Sequence, residues 1–204
     1  MKLFQKNNEF ITKKNNFYIK FGKRAIDLII VFPSIIILSP IFIVIMLLIS
    51  IDSEGSPLYK QERVGQFGKA FYIYKFRTML KDADKLGPKR TSQDDNRITK
   101  TGKFLRRTSL DELPQLFNVL KGDMSLVGYR PGVYEDYPQE YIQTEIFKFK
   151  PGISGYAQIN GRSNLTQDLK LYWEKEYTKD ISFKTDLMII IKTILNVLNK
   201  KDVN

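Results

Sequence analysis

The chain has 204 residues, with 33 Lys and Arg against 22 Asp and Glu, for a formal net charge of +11. That length bounds one domain plus membrane-associated segments, and the charge favours polyanionic partners: nucleic acid, anionic lipid or phosphorylated substrates. Cysteine and histidine are both absent, which excludes disulfides, Cys-ligated zinc, thiol catalysis and the commonest general base; carboxylates, Lys, Arg, Tyr and hydroxyls remain for catalysis, and hard oxygen-bound cations such as Mg2+ for any metal.

Residues 1–24 are basic and Asn-rich. The apolar pairs Leu3-Phe4, Phe10-Ile11 and Phe17-Tyr18 recur between lysines at a spacing that suits one helical face. An interfacial amphipathic segment and a disordered tail both fit. Leu28 to Ile51 then carries no charge. As a straight helix it would be roughly 36 Å long, against a hydrocarbon core of about 30 Å. It is too long and too late in the chain for a signal-peptide core. Lys23 and Arg24 precede it, and Lys60, Arg63 and Lys69 follow, so charge gives no orientation for a single span. Ser39-Pro40 lies mid-segment. Proline removes a backbone donor, and a neighbouring Ser hydroxyl can satisfy the freed carbonyl. A kinked span and a bent helix entering and leaving one leaflet both remain open on these grounds.

From Ser53 the chain turns polar. Leu58–Val64 and Ala70–Arg77 flank Gly65-Gln66-Phe67-Gly68 and predict a β-hairpin. Residues 80–104 read as a charged loop, and a helix follows from about Asp111 to Lys121, because Pro114 is tolerated only in a first helical turn. Tyr134–Lys150 and Thr166–Tyr177 are further helix candidates around the Gly-rich Pro151–Arg162 segment. At the end, Leu187, Ile190, Ile191, Ile194, Leu195 and Leu198 keep helical spacing on a wide apolar face, suited to docking on a bilayer or packing on the domain. The expected fold is mainly α with a small β-hairpin (α+β): a basic segment over 1–24, a membrane helix over 25–52 and a compact catalytic domain over 53–204.

The most informative stretch is Arg106-Arg107-Thr108-Ser109-Leu110-Asp111-Glu112-Leu113-Pro114-Gln115-Leu116. Paired acids at a helix start ordinarily cap orphan N–H groups. Here two arginines lie one turn upstream, and without His or Cys an aspartate is a candidate nucleophile toward phosphorus. Lys75 and Arg77 end the second hairpin strand, Arg130 sits in a Gly-Tyr-Arg-Pro turn, and Arg162 closes Gly152-Ile153-Ser154-Gly155-Tyr156-Ala157-Gln158-Ile159-Asn160-Gly161-Arg162. Each cation alone reads as a solvated charge; their ordering among Gly/Pro turns points to phosphate handling. A membrane-anchored polyanion-binding protein would carry its charge as a run or stripe, whereas here the basic residues are spread through Gly/Pro-punctuated motifs with acids among them.

Taken together, Lys23-Arg24 with Asp27, Ser39-Pro40, Gln61–Gly65, Tyr74–Met79, Asp95–Gly102, Ser109–Asn118, Leu120–Gly128 and Pro151–Arg162 resemble the bacterial sugar transferases, the small monotopic phosphoglycosyl transferases that prime glycan assembly on undecaprenyl phosphate. Tyr129 stands where that family usually has proline, and Tyr156 where an indole is common. The resemblance implies that Asp111 attacks the sugar-bearing phosphate of a UDP-sugar and releases UMP, that Glu112 assists, and that both hold Mg2+. It places Lys75, Arg77, Arg106, Arg130, Gln158 and Arg162 at the substrate's phosphates. It also implies a re-entrant helix broken at Ser39-Pro40 and a catalytic domain on the cytoplasmic face of the bacterial inner membrane. The implied partners are UDP-sugar, undecaprenyl phosphate and membrane lipids, with a second copy or downstream glycosyltransferases as further candidates and no nucleic acid.

Overall fold

A computed structural model describes residues 17–83, 87, 95–137, 139–161 and 164–199; Arg162 and most of the N-terminal segment lie outside them. The chain enters through a π-helical turn, Tyr18–Gly22, and continues into α1, Lys23–Asp52. Together these form the one helix, among the described residues, that is long and apolar enough to cross a membrane by length and composition.

One stripe of α1 faces the protein. Val31, Ile35, Leu38, Phe42, Ile45 and Ile49 follow one another at three- and four-residue steps, the spacing of a single helical face. They pack against Leu116, Val119 and Met124 at one end and against Phe76 and Leu105 at the other. The outward side stays apolar and uncovered: Ile29, Phe32, Ile37, Val44, Leu47 and Ile51 are all exposed. A helix apolar all round, with only one stripe packed, presents the rest to lipid.

Ser39-Pro40 lies inside α1, with helical residues on both sides of it. Pro40 leaves the Ile36 carbonyl without its helical donor, and the Ser39 hydroxyl donates to that oxygen at 2.8 Å. With the orphaned group satisfied and the packed stripe continuing past it, nothing forces the helix to stop. Pro33 also lies inside α1, with Ser34 Oγ donating to Ile30 O at 2.7 Å.

Both ends of α1 are tied to the same domain. Near the start, Lys23 pairs with Asp186 at 2.5 Å, Arg24 donates to the carbonyls of Val119 and Leu120, and buried Asp27 accepts from Leu126 N at 2.9 Å and Ser125 Oγ at 3.1 Å. At the far end, Asp52 accepts from Thr101 N at 2.8 Å, and Arg77 donates to Ser53 O at 2.6 Å.

The hairpin forms as expected: β1, Leu58–Val64, pairs antiparallel with β2, Ala70–Phe76, Leu58 opposite Phe76 and Val64 opposite Ala70. The region read as loop over 80–104 instead yields the start of α2, Lys100–Thr108. Thr99 caps it by accepting from Gly102 N at 3.0 Å. Gly102 stands inside this helix because a Cβ there would lie 2.0 Å from Thr78 O. A 3-10 turn, Leu110–Glu112, leads into α3, Gln115–Lys121. The second sheet pairs β3, Ser125–Val127, with β4, Gly152–Ser154, in parallel. The two strands meet so closely that a Cβ on Gly152 would lie 2.0 Å from Gly128 N, which accounts for glycine at both positions.

Tyr134–Lys150, expected as a helix, is three short pieces: Tyr134–Asp136, α4 at Gln139–Ile142, and Glu145–Lys148. The chain is drawn back over the Arg130 loop, because the Tyr137 hydroxyl donates to Arg130 O at 3.0 Å and accepts from Gly132 N at 3.1 Å, while Tyr137 and Phe147 sink into the core around Val64 and Tyr129. Beyond β4 come α5, Tyr156–Ile159, α6, Gln167–Lys179, and α7, Phe183–Leu198. The last helix packs on the domain by one side and leaves an apolar side uncovered. Ile189 is fully buried against Val127 and Tyr177, while Phe183, Leu187, Ile191, Ile194 and Leu195 face outward.

Candidate active site

The site is built where α2 reverses into α3. Ser109 ends α2 in the left-handed region, φ 56°, a conformation uncommon for a residue with a Cβ and concentrated at functional turns. The reversal sets Asp111 and Glu112 on the turn before α3, at the helix start the sequence indicated and about one turn ahead of the observed start at Gln115. Both carboxylates line a cleft of about 750 Å3.

Lys75, at the end of β2, donates to Glu112 Oε1 at 3.0 Å and lies 4.0 Å from Asp111 Oδ2. Arg130 reaches in from the loop after β3 and clamps Glu112 with two nitrogens, at 2.5 and 3.3 Å. Two-point guanidinium–carboxylate pairing fixes direction as well as charge. Burial alone would raise both carboxyls. Arg130 and Lys75 outweigh burial at Glu112 and hold it well below the usual carboxylate range. Asp111 gains less from its cations: burial first, and then the neighbouring Glu112 charge, push it up to about 6. The pair is thus split into one firmly ionised acid and one that ionises just below neutrality. Two interacting carboxyls in unlike surroundings behave in this way when they have different tasks.

Arg106 lines the cleft beside the dyad, its Nε donating to Thr78 Oγ1 at 2.9 Å. Arg77 borders the cleft, but its two terminal nitrogens are engaged by Ser53 and Glu54; the geometry makes it the tether between the end of α1 and the hairpin. Gln158 on α5 is buried on the cleft wall. The structure therefore brings Lys75, Arg106, Arg130 and Gln158 to one cleft with Asp111 and Glu112.

Glu174 on α6 was not anticipated. It is 5% exposed, lines the cleft and accepts from Arg130 N at 3.1 Å, so it steadies the backbone that carries the clamp. Burial pushes its carboxyl up to about 7 against the opposing pull of that hydrogen bond. The signal lay in helical phase: Leu171, Glu174 and Tyr177 share the buried face of α6, and a carboxylate there calls for a partner.

Among the described residues no group of three or more acids gathers as a ready metal cage. Mg2+ does not require one, since one or two carboxylates completed by substrate phosphates suffice. Asp111 and Glu112 meet that requirement with hard oxygen donors on the cleft, Asp111 being the less engaged of the two.

The fold and site define a membrane-associated α+β protein whose cleft sets a split carboxyl pair among cations suited to phosphate. The bacterial sugar transferase family model matches residues 18–200. The undecaprenyl-phosphate galactose phosphotransferase of Salmonella typhimurium is 36% identical over 89% of this chain and 41% of its own length. The exopolysaccharide production protein ExoY of Sinorhizobium fredii is 36% identical, covering 85% of this chain and 84% of ExoY. The UDP-N-acetylgalactosamine-undecaprenyl-phosphate N-acetylgalactosaminephosphotransferase of Aeromonas hydrophila is 37% identical over 87% of this chain and 44% of its own length. The chain thus spans less than half of the first and third of these relatives and most of ExoY. It belongs to the bacterial sugar transferase family.

Proposed function

We propose that this chain transfers a sugar 1-phosphate from a UDP-sugar to undecaprenyl phosphate, releasing UMP and starting assembly of a surface glycan. The observation that carries this reading is the Asp111–Glu112 pair held among Lys75, Arg106 and Arg130 in one cleft. Relatives named for transfer of galactose or N-acetylgalactosamine phosphate to undecaprenyl phosphate support it.

In this reading an ionised Asp111 oxygen attacks the sugar-bearing phosphorus. The bond from that phosphorus to the bridging oxygen breaks, and UMP departs with the electron pair. An oxygen of the polyprenyl phosphate then attacks the same phosphorus, the acyl phosphate bond breaks, and Asp111 is regenerated as carboxylate. Arg106 and Arg130 face the charge that gathers on the phosphoryl oxygens. Glu112, held ionised by its cations, keeps Lys75 and Arg130 in place, and Glu174 holds the Arg130 backbone. Mg2+, bound through Asp111 and Glu112 oxygens, would add charge neutralisation at the diphosphate.

The same reading places the chain on the cytoplasmic face of the inner membrane, with α1 entering and leaving a single leaflet. Its support is that Arg24 and Asp27 at one end and Asp52 at the other all bond to one domain; a straight span would carry one end across. Such placement brings a cytosolic nucleotide sugar and an interfacial lipid phosphate to one cleft. The test is UMP release from UDP-galactose, UDP-N-acetylgalactosamine and UDP-glucose with undecaprenyl phosphate in detergent. Release from at least one donor, with matching formation of a lipid diphosphate sugar, is expected. Release from none would overturn the reading.

A further inference from the structure

The walls of the cleft are unlike. Along α6 the lining is polar and charged, with Gln167, Lys170 and Glu174. At the α1 side it is aliphatic. The chain leaving α1 becomes cleft wall at once, through Gly55, Ser56 and Leu58, and Met79 and Leu80 beyond β2 line it with them. Leu58 is 39% exposed and Leu80 44%; among the described residues these two are the large apolar side chains that both line the cleft and stand open. Arg77 fixes this corner by donating to the carbonyls of Ser53 and Glu54, directly after α1.

The uncovered apolar side of α1 runs to the same corner. Leu47, Leu48 and Ile51 are exposed there, and Asp52 ends the helix. A lone exposed leucine needs no explanation, but this lip continues the side of α1 that is presented to lipid. Arg106 connects the lip to the carboxyl pair. Its Nε donates to Thr78 Oγ1 at 2.9 Å, and Met79 and Leu80 follow Thr78 in the chain. On its other side the Arg106 guanidinium feels the charge of Asp111. From the lip inward the order is therefore aliphatic, cationic, nucleophilic. That order fits an amphiphile whose hydrocarbon stays in the bilayer and whose tip is a phosphate. A nucleotide sugar has no hydrocarbon for Leu58 and Leu80, and its polar groups suit the α6 wall. We infer that the polyprenyl phosphate acceptor enters the cleft over the lip of Leu58 and Leu80, its phosphate passing Arg106 to reach Asp111; this rests on the transferase reading above.

The test is photocapture by the full chain. The photoreactive residue p-benzoylphenylalanine is placed at Leu58, at Leu80 or, on the opposite wall, at Gln167, and each protein is irradiated in detergent with radiolabelled undecaprenyl phosphate. Label should enter the Leu58 and Leu80 proteins and not the Gln167 protein. Excess unlabelled undecaprenyl phosphate should suppress it, and the same excess of phosphatidylglycerol should not. Capture at Gln167 alone, or suppression by both lipids alike, overturns the inference; the second outcome would make the lip a contact for bulk lipid. A kinetic arm uses Leu80→Ser, a change at an open position. It should raise the KM for undecaprenyl phosphate about tenfold, the scale of one leucine's worth of apolar contact, while kcat stays within about twofold. An unchanged KM, or a loss confined to kcat, counts against the lip. Release of UMP from a UDP-sugar without capture at either leucine overturns the placement alone, whereas release from no donor overturns the reading beneath it.

Discussion

Removing the charge of Lys75 should move the acid limb of the pH–rate profile upward. Its Nζ stands 4.0 Å from Asp111 Oδ2 and 3.0 Å from Glu112 Oε1. Two unit charges 4 Å apart at an effective dielectric near 20 interact by about 4 kcal/mol, equivalent to about three pKa units. Lys75 and Asp111 retain 20% and 14% side-chain exposure, and water reaching them screens the pair, which brings the expected shift to about one to two units. The sign follows from the chemistry. Asp111 must be ionised to attack, a nearby cation favours the ionised form, and burial with the Glu112 charge has already pushed it up to about 6. Lys75→Met should therefore carry the limb from near pH 6 to about pH 7–8, while Lys75→Arg, which keeps the charge, should leave it within about half a unit of wild type. The assay is kcat/KM for UMP release from about pH 5 to pH 9. A limb that stays put in Lys75→Met, or moves down, refutes this account of how the pair is split, whatever happens to the plateau rate.

Arg130→Ala should lower kcat by about 100-fold or more and Arg130→Lys by less, because lysine keeps the charge but not the two-point clamp on Glu112; equal losses would assign Arg130 a merely structural part. Activity should vanish in EDTA and return with added Mg2+, and full turnover in metal-free buffer would exclude the carboxyl pair as a metal site. Single cysteines introduced at Lys20 and at Lys103 should both resist an impermeant maleimide in intact spheroplasts and both react after lysis. Labelling of Lys20→Cys alone in intact spheroplasts would show a crossing helix and contradict the one-leaflet placement of α1.

Local patterns proved legible and allocations did not. The hairpin was readable because period-two strands flank a Gly-x-x-Gly turn, and the observed β1 and β2 differ from expectation only in where the second strand ends. Thr166 and Tyr177 bracket α6 closely for a similar reason, since threonine caps it. The Asp111-Glu112 pair stood out by residue type and by Pro114 alone. What the sequence hid was which partner each charge finds. Arg77 and Arg130 look alike in a string of motifs, yet one ties Ser53 and Glu54 while the other clamps Glu112. Charge made the start of α2 look like loop, while the close seat of Gly102 on Thr78 joins residues far apart in sequence. The Ser39 hydroxyl at the Ile36 carbonyl was legible beside Pro40, but the packed stripe of α1 needs the rest of the fold to exist.

The most direct measurement is a search for the covalent intermediate. The enzyme is mixed with a turnover-competent UDP-sugar without polyprenyl phosphate, quenched in acid, digested and weighed by mass spectrometry. The account predicts a burst of UMP close to one per active site and a sugar-phosphate adduct on the peptide containing Asp111, labile to hydroxylamine and absent from Asp111→Asn. UMP release that strictly requires the lipid acceptor, with no adduct at any quench time, or an adduct on Glu112 instead, would contradict it.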